Sequence, residues 1–472
     1  MAVRSPNILL ITTDQQRYDA LGINGNRVLR TPNLDHLAAA GTNFSRCYVT
    51  CPVCIPARRT LISGLSPQSH GLRRYRDGVP FEPPATLPGV LSAAGYQTQL
   101  VGKLHLHPQR KRFGFDHMVL SDSASWRPTS AIQNQNDYTA WLASRGLPSH
   151  STAHGVNGNG RVARPWHLDE VYHQTSWLAR RAVDFFDGWR DPSSPWFMHL
   201  SFTAPPPPLV PPRDYYERYI HRTDLAPTLG EWAPAEDGRR GLDPVAPVGP
   251  FPPDEIHDAI AGYYGLINHI DDCVQYVIDR YFEYHNPRGR EPLYILFTSD
   301  HGEMLGDHHL FRKSLGYEAS AHVPLFIAGR NVDVPQGTSD ALVSWEDVMP
   351  TVLDLAGVPV PDGLDGHSLV PVMRGQSPAV RQTVFGGCGG SHDNHWLVHG
   401  RHKYIWYART GEEQLFDLAT DPNECHDLSA DAAMLEEPRR QMAQHLSHLP
   451  DVDYAPANRH PCGNRPPRVF WP

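Results

Sequence analysis

The segment Asn7-Ile8-Leu9-Leu10-Ile11-Thr12-Thr13-Asp14 (NILLITTD, 7–14) is a continuous apolar and threonine run that stops at an acid. Without polar alternation, such a run belongs to a strand covered on both faces, the condition of a parallel sheet between helices. LYILFTSD (293–300) repeats the design far along the chain. TQLVGK (98–103) and WFMHLSF (196–202) read as further strands. Between them TPNLDHLAAAG (31–41) predicts a helix closed by Gly41, and LPGVLSAAGY (87–96) predicts another before Gly95. Residues 254–283 space Ile256, Ile260, Tyr264, Ile267 and Ile270 along one face of a long helix that leads into LYILFTSD. Strand and helix alternate, so the fold class is α/β with a large, mainly parallel sheet.

The stretch 204–253 contains APPPPLVPP and EWAPAEDGRRGLDPVAPVGPFPP, too rich in proline and glycine for regular elements. It reads as a long ordered loop over the site or an arm to a neighbouring subunit, with a flexible surface insertion as the alternative. Residues 339–373 predict a helix followed by turns. Beyond them WLVHGRHKYIWY and EQLFDL alternate as antiparallel strands, followed by the helix DAAMLEEPRRQMAQHLSHL and a proline-rich tail. The chain thus divides into a catalytic unit, 1–375, and a small C-terminal subdomain with an extended tail, 376–472.

With 472 residues, 40% hydrophobic and 20% charged, the composition is that of a globular enzyme with room for one large domain and a smaller one. A net charge of -9 argues against nucleic acid as the main partner. No apolar run reaches the roughly 20 residues of a membrane span, and MAVRSPNILLITTD has no signal-peptide pattern. The seven cysteines are odd in number and scattered, unlike a disulfide framework, so the expected compartment is cytoplasmic.

Asp14-Gln15 and Asp300-His301 end the two twin strands, and in open α/β sheets ligands gather beyond the carboxyl ends of strands. A lone strand-end aspartate is more often a turn residue. Two matching pairs instead offer two carboxylates, an amide oxygen and an imidazole to one divalent cation, Ca²⁺, Mg²⁺ or Mn²⁺.

Cys54 heads CIPARRTLISG (54–64), a CxPxR motif with Leu61 and Gly64 at fixed distance, which resembles the modification site of type I sulfatases. TDQQR (13–17), GYQTQLVGKLHL (95–106), SDHGEMLGDHHLFRKSLGYEASAHVPLFI (299–327), EDVMPTVLDLAGVPVPDGLDGHSL (346–369), and HKYIWY (402–407) with LFDLATDPNE (415–424) also resemble sulfatase blocks, in sulfatase order. The resemblance covers almost the whole chain. The Asp-Gln and Asp-His forms of the two pairs look like the arylsulfatase, choline sulfatase and phosphonate monoester hydrolase branches of the alkaline phosphatase superfamily.

The resemblance implies an alkaline-phosphatase-like sandwich and a sulfuric ester hydrolase acting on a small sulfate ester. It implies that Cys54 is converted by a formylglycine-generating maturation enzyme to Cα-formylglycine, whose hydrate attacks sulfur and passes through a covalent sulfo-enzyme intermediate. Asp14, Gln15, residue 54, Asp300 and His301 would hold one divalent cation, Ca²⁺ or Mn²⁺. Arg58 would hold the nucleophile and carboxylates in place, while Lys103, His105 and Lys313 would bind the sulfate oxygens, where fixed cations stabilise developing charge.

One departure stands out. Family members commonly carry a Pro-His pair in the loop after the strand corresponding to WFMHLSF, and Pro206 stands where that histidine falls. His199, inside the strand, reads as structural. His105 or Lys313 is left to protonate the leaving group, or the leaving group is a good anion such as a phenol. Cys51 and Cys54 form CxxC, a redox or half-zinc pattern read here as the weaker alternative. His70 and Arg73 read as a solvated helix end, and Asp307, His308 and His309 as either pocket rim or solvated loop. Rival readings are a phosphonate monoester or phosphodiester hydrolase on the same scaffold, a non-catalytic binding protein, and a thiol or zinc protein. The proline-rich arm and tail point to a homo-oligomer.

Overall fold

The computed structural model describes residues 5–122, 136–149, 153–233, 243–390 and 393–449. Its strands in chain order are β1 (Asn7–Thr13), β2 (Thr42–Phe44), β3 (Cys47–Tyr48), β4 (Gln97–Gly102), β5 (His117–Leu120), β6 (Trp196–Ser201), β7 (Leu293–Ser299), β8 (His322–Val323), β9 (Leu325–Arg330), β10 (Gly337–Ser339), β11 (Val343–Ser344), β12 (Thr383–Cys388), β13 (Asn394–His399), β14 (His402–Tyr407) and β15 (Glu413–Asp417). Its helices are α1 (Pro32–Ala39), α2 (Cys54–Ser63), α3 (Leu87–Ala93), α4 (Asp137–Ser144), α5 (Gln174–Asp184), α6 (Arg213–Ile220), α7 (Pro253–Arg280), α8 (Glu318–Ala321), α9 (Val348–Leu355), α10 (Val370–Met373) and α11 (Ala432–Leu446).

The twin apolar segments lie side by side at the centre of an eight-stranded sheet of order β10-β2-β9-β7-β1-β6-β4-β5. All neighbours are parallel except β9, which runs against both β2 and β7. The lack of polar alternation follows from two-sided burial. Leu9 and Ile11 face a core shared with α1, α5, α6 and α7, while Ile8 and Leu10 face a second core shared with α2, α3 and α9. Strand β7 divides the same way, with Leu293, Ile295 and Phe297 against Tyr294 and Leu296.

Helix α7 begins at a proline followed by Asp254 and Glu255, which complement the positive end of the helix dipole. It buries Ile256, Ile260, Ile267 and Ile270 as the periodicity predicts, but Tyr263 rather than Tyr264 is fully enclosed. The reason is polar: the Tyr263 hydroxyl donates to Gln15 O at 2.7 Å and accepts from Arg17 N at 3.0 Å, tying the helix to the end of β1.

The stretch 204–253 is more regular than its composition predicts. Residues 213–220 form α6, because Tyr215 and Tyr219 stand one turn apart and are buried with Tyr216 against α7. Further along, Thr228 O accepts from His308 N and Gly230 N donates to His308 Nδ1, while Trp232 stacks on Tyr317. This part of the stretch is therefore ordered against residues 307–317; residues 234–242 lie outside the described ones.

The C-terminal part is a four-stranded antiparallel meander, β12-β13-β14-β15. One face packs on α11 through Leu435, Met442 and Leu446. The other packs Trp396, Ile405 and Phe416 against Tyr48, Met304 and Tyr317 on the side of the eight-stranded sheet. Between the two units Lys403, fully buried, pairs with Glu318 at 2.5 Å and Glu424 at 3.1 Å. The tail from residue 450 lies outside the described residues. No described helix is long and apolar enough to cross a membrane.

Candidate active site

Strands β1 and β7 pair with Thr13 opposite Ser299, so the next residue of each, Asp14 and Asp300, leaves the sheet at the same point of its carboxyl edge. Asp300 N donates to Thr13 O at 3.2 Å, and Gln15 N donates to Asp300 Oδ1 at 3.0 Å, which locks the two strand ends together. Gln15 adopts a left-handed φ of 70° to make this turn. Such backbone costs about 1–3 kcal/mol for a non-glycine residue and recurs at functional sites. His105, Leu305, His308, His309, Arg312 and Ser314 share it in the surrounding loops.

Helix α2 points its N-terminus at this edge with Cys54 as its first residue. Pro56 fits because the first turn has no intrahelical donor to lose, and Gly64, at φ 67°, ends the helix in the left-handed cap that glycine takes without strain. Cys54 Sγ lies 3.1 Å from His301 Nε2 and 3.7 Å from Asp14 Oδ1. His301 Nε2 lies 3.6 Å from Asp14 Oδ1 and 3.5 Å from Asp300 Oδ1. One helical turn after Cys54, Arg58 donates through Nε to Asp300 Oδ2 at 2.8 Å and through Nη1 to Lys103 O at 2.8 Å and Ser201 Oγ at 2.9 Å. Lys103, leaving the end of β4, pairs through Nζ with Asp14 Oδ2. Lys313 Nζ donates to Gln15 Oε1 at 2.6 Å.

Burial would raise the Asp14 carboxyl, but Lys103, Lys313, Arg58 and His301 hold it well below the carboxylate range. Asp300 moves the other way, raised by burial and by the charge of Asp14. Burial and Asp14 oppose ionisation of Cys54, yet Lys103, Lys313 and His301 outweigh them and bring the thiol well below its ordinary value. Burial disfavours a charged His301, but Asp300 and Cys54 raise it.

One ligand atom each from Asp14, Cys54, Asp300 and His301 lies within 4.8 Å of the others. Oxygen and nitrogen donors about 2.0–2.6 Å from an ion can stand no farther than about 5 Å apart, so this set matches a single divalent cation. The His301 ring fits the same reading. Its Nδ1 lies 2.9 Å from Gly302 O, which can only accept, so Nε2 faces the cluster and would become a ligand on giving up its proton in a bound cation's field.

Asp14, Gln15, Cys54, Arg58, Lys103, Asp300 and His301 thus come together in one buried group, with the half-buried Lys313 bonded to it through Gln15. His105 is set differently: its backbone N donates to Asp122 Oδ1 at 2.9 Å, its ring stands edge-on to Tyr75, and its buried Nδ1 has no hydrogen-bond partner among the described residues. The Nη2 of Arg58 is likewise buried without a partner.

His199 is structural. It bonds Thr12 Oγ1 at 2.9 Å, and burial with the nearby Arg58 lowers it to about 3. His70 turns inward rather than to solvent, bonding Thr60 Oγ1 at 3.2 Å, and burial lowers it to about 4. Asp307 pairs with Arg17 at 2.8 Å and accepts from Thr228 N at 2.7 Å, and His308 packs on Trp232, so both hold residues 228–232 in place. Cys51 Sγ lies 3.5 Å from Cys388 Sγ and does not share the Cys54 cluster, which leaves CxxC without a common ligand site.

Residue-by-residue reading missed Asp122, Ser201, Glu303 and Tyr75. Asp122 accepts from Leu104 N at 2.8 Å and so shapes the Lys103–His105 turn. Its signal was present: HMVLSD (117–122) repeats the strand-Ser-Asp ending of LYILFTSD. Tyr75 is 56% exposed and stands edge-on to the His105 ring. No local pattern marks it.

The sulfatase family profile matches residues 6–358, and the profile described as N-sulphoglucosamine sulphohydrolase, C-terminal, matches residues 306–451. The chain is 37% identical over 436 residues to an arylsulfatase of Clostridium perfringens, with 90% of each chain covered. It is 31% identical over 496 residues to the multifunctional alkaline phosphatase superfamily protein PehA of Trinickia caryophylli, covering 90% of this chain and 92% of that one. In three dimensions it is similar to the phosphonate monoester hydrolase of Agrobacterium radiobacter, with a TM-score of 0.75, 26% identity, and 97% and 100% of the two chains covered. With an α/β fold of the alkaline phosphatase type and a buried Asp14-Cys54-Asp300-His301 cluster at the sheet edge, the chain belongs to the sulfatase family of hydrolases.

Proposed function

We propose that the protein hydrolyses a small sulfate monoester, with residue 54 acting as formylglycine. The observation that carries this reading is the position of Cys54 at the N-terminus of α2, 3.1 Å from His301 Nε2, 3.7 Å from Asp14 Oδ1 and within the field of Lys103 and Lys313. A divalent cation held by Asp14, Gln15, residue 54, Asp300 and His301 would supply positive charge that polarises the ester and eases loss of a proton from the nucleophile.

The chain's own residues do the rest. Arg58 fixes Asp300 and the turn carrying Lys103, so the two strand ends and α2 move as one piece. Lys103 and Lys313 place two ammonium groups beside Asp14, where they meet the oxygens of the transferring group. The aldehyde of residue 54, once hydrated, has two hydroxyls. One attacks sulfur and the alcohol departs; loss of the other's proton then re-forms the aldehyde and expels sulfate. The loop 202–212 contains no histidine, which favours leaving groups that depart as stable anions, such as phenols. A dedicated maturation enzyme must supply the oxidised residue.

The likeness to a phosphonate monoester hydrolase and to a multifunctional relative supports a second reading, cleavage of phosphonate monoesters in the same pocket. Sulfate and phosphonate esters share tetrahedral shape and charge. Mass analysis of the tryptic peptide 47–58 should reveal the aldehyde mass at position 54, and kcat/KM should favour an aryl sulfate over the matching aryl phosphonate. An unmodified thiol in fully active protein refutes the mechanism, and a strong phosphonate preference replaces the first substrate with the second.

A further inference from the structure

Gln15 is an unusual choice beside a cation, because an amide has a wrong way round. Turned by half a rotation, it presents an NH₂ group where an oxygen is needed. Its orientation is set by two neighbours that each speak only one chemical language. Its Nε2 donates to Glu303 Oε2, and its Oε1 accepts from Lys313 Nζ at 2.6 Å. A carboxylate can only accept and an ammonium can only donate, so the amide has one orientation that satisfies both.

Glu303 is itself immobilised. It is fully buried, its Oε1 accepts from the backbone N of Arg312 and from Leu305 N at 2.9 Å, and its own N donates to Ala319 O at 2.8 Å. Lys313, on the other side of the amide, acts electrostatically on Asp14, Cys54 and His301, the cluster that could hold a cation. The nitrogen of Gln15 is thus held on the Glu303 side and its oxygen on the Lys313 side, in a residue whose backbone N donates to Asp300 Oδ1 at 3.0 Å.

We propose that Glu303 is a positioning residue that holds the Gln15 amide with its oxygen toward the cation site. This rests on the metal reading of the cluster. Glu303→Gln keeps the shape and the acceptor used by the two backbone amides, but turns an NH₂ toward the NH₂ of Gln15. Two donors then face each other, and Gln15 relieves the clash by rotating its oxygen away from the cation. The exchange Gln15→Glu with Glu303→Gln restores the pattern: the new amide donates to the new carboxylate, whose other oxygen faces the cation.

The test is Mn²⁺ binding to metal-stripped protein, followed by electron paramagnetic resonance and by metal content after dialysis, with thermal melting as a check of folding. Glu303→Gln should weaken Mn²⁺ binding by about 10–100-fold, the range seen when partners of metal ligands are removed, and the double exchange should restore it to within about 3-fold of the parent. If Glu303→Gln fails to fold, adding it to Gln15→Glu should still raise Mn²⁺ affinity over Gln15→Glu alone. Parent-like binding by Glu303→Gln, or no gain in the double exchange, overturns the role of Glu303. Failure of the parent protein itself to bind Mn²⁺ overturns the metal reading instead, and this inference with it.

Discussion

Three cations converge on Cys54, and the chemistry proposed for that residue differs from that of any encoded nucleophile. A hydrated aldehyde has a second hydroxyl through which it can release sulfate; a serine does not. Cys54→Ser should therefore give at most one equivalent of phenol from an aryl sulfate and then stop, leaving a sulfated protein detectable by mass. Cys54→Ala should release none while melting near the parent temperature. Sustained turnover by Cys54→Ser would remove the need for the aldehyde. Asp14, Gln15, Asp300 and His301 were legible from their place at the ends of two twin strands, and Cys54 and Arg58 from the resemblance of CIPAR to the sulfatase modification site. Glu303 and Tyr75 were not, since they meet Gln15 and His105 only across segments far apart in sequence.

At the scale of elements, the site depends on how strands end. Gly102 is the last residue of β4 and has a left-handed φ of 117°; a Cβ there would stand 1.9 Å from Ser201 O of the adjacent strand. The close approach lets Lys103 N donate to Ser201 O at 2.9 Å and turns the lysine toward Asp14. Gly102→Ala should destabilise the protein by about 2–5 kcal/mol, combining backbone strain with overpacking, and should lower kcat by displacing Lys103. Denaturant titration and steady-state kinetics on the same variant check both effects. The glycine was visible in TQLVGK, but nothing in that string says that a neighbouring carbonyl occupies the space of its missing side chain. Helix α6 shows the converse: prolines on both sides obscured a tyrosine pattern that packing against α7 made decisive.

For the whole molecule, buried titratable groups govern the response to acid. His199 has a folded value of about 3 against an ordinary 6.5, so between these values the unfolded chain binds a proton that the folded chain excludes. Its contribution to stability is complete above pH 6.5 and is lost as pH falls toward 3, at about 1.4 kcal/mol per pH unit. His199→Gln, which can still bond Thr12, should flatten the decline in unfolding free energy between pH 6 and 4 by about one proton; an unchanged slope would assign the decline to other groups. The two units are joined through Lys403, enclosed between Glu318 and Glu424. Lys403→Met leaves two carboxylates facing each other in the interior and should cost about 3–5 kcal/mol, with part of the loss recovered by adding Glu424→Gln. Thermal midpoints of the three proteins measure the coupling. The sequence by itself determined the α/β class, the twin strands and the strand-end acids, because periodicity and short-range spacing record local geometry directly, while the nucleophile motif was read from its resemblance to sulfatases. Only the tertiary structure decided that Thr13 and Ser299 pair in register, that residues 228–232 are pinned by Asp307 and His308, and that a carboxylate 288 positions along the chain orients Gln15. Those facts depend on contacts between segments far apart in sequence, and the energy of such contacts is set by the fold and leaves no local pattern.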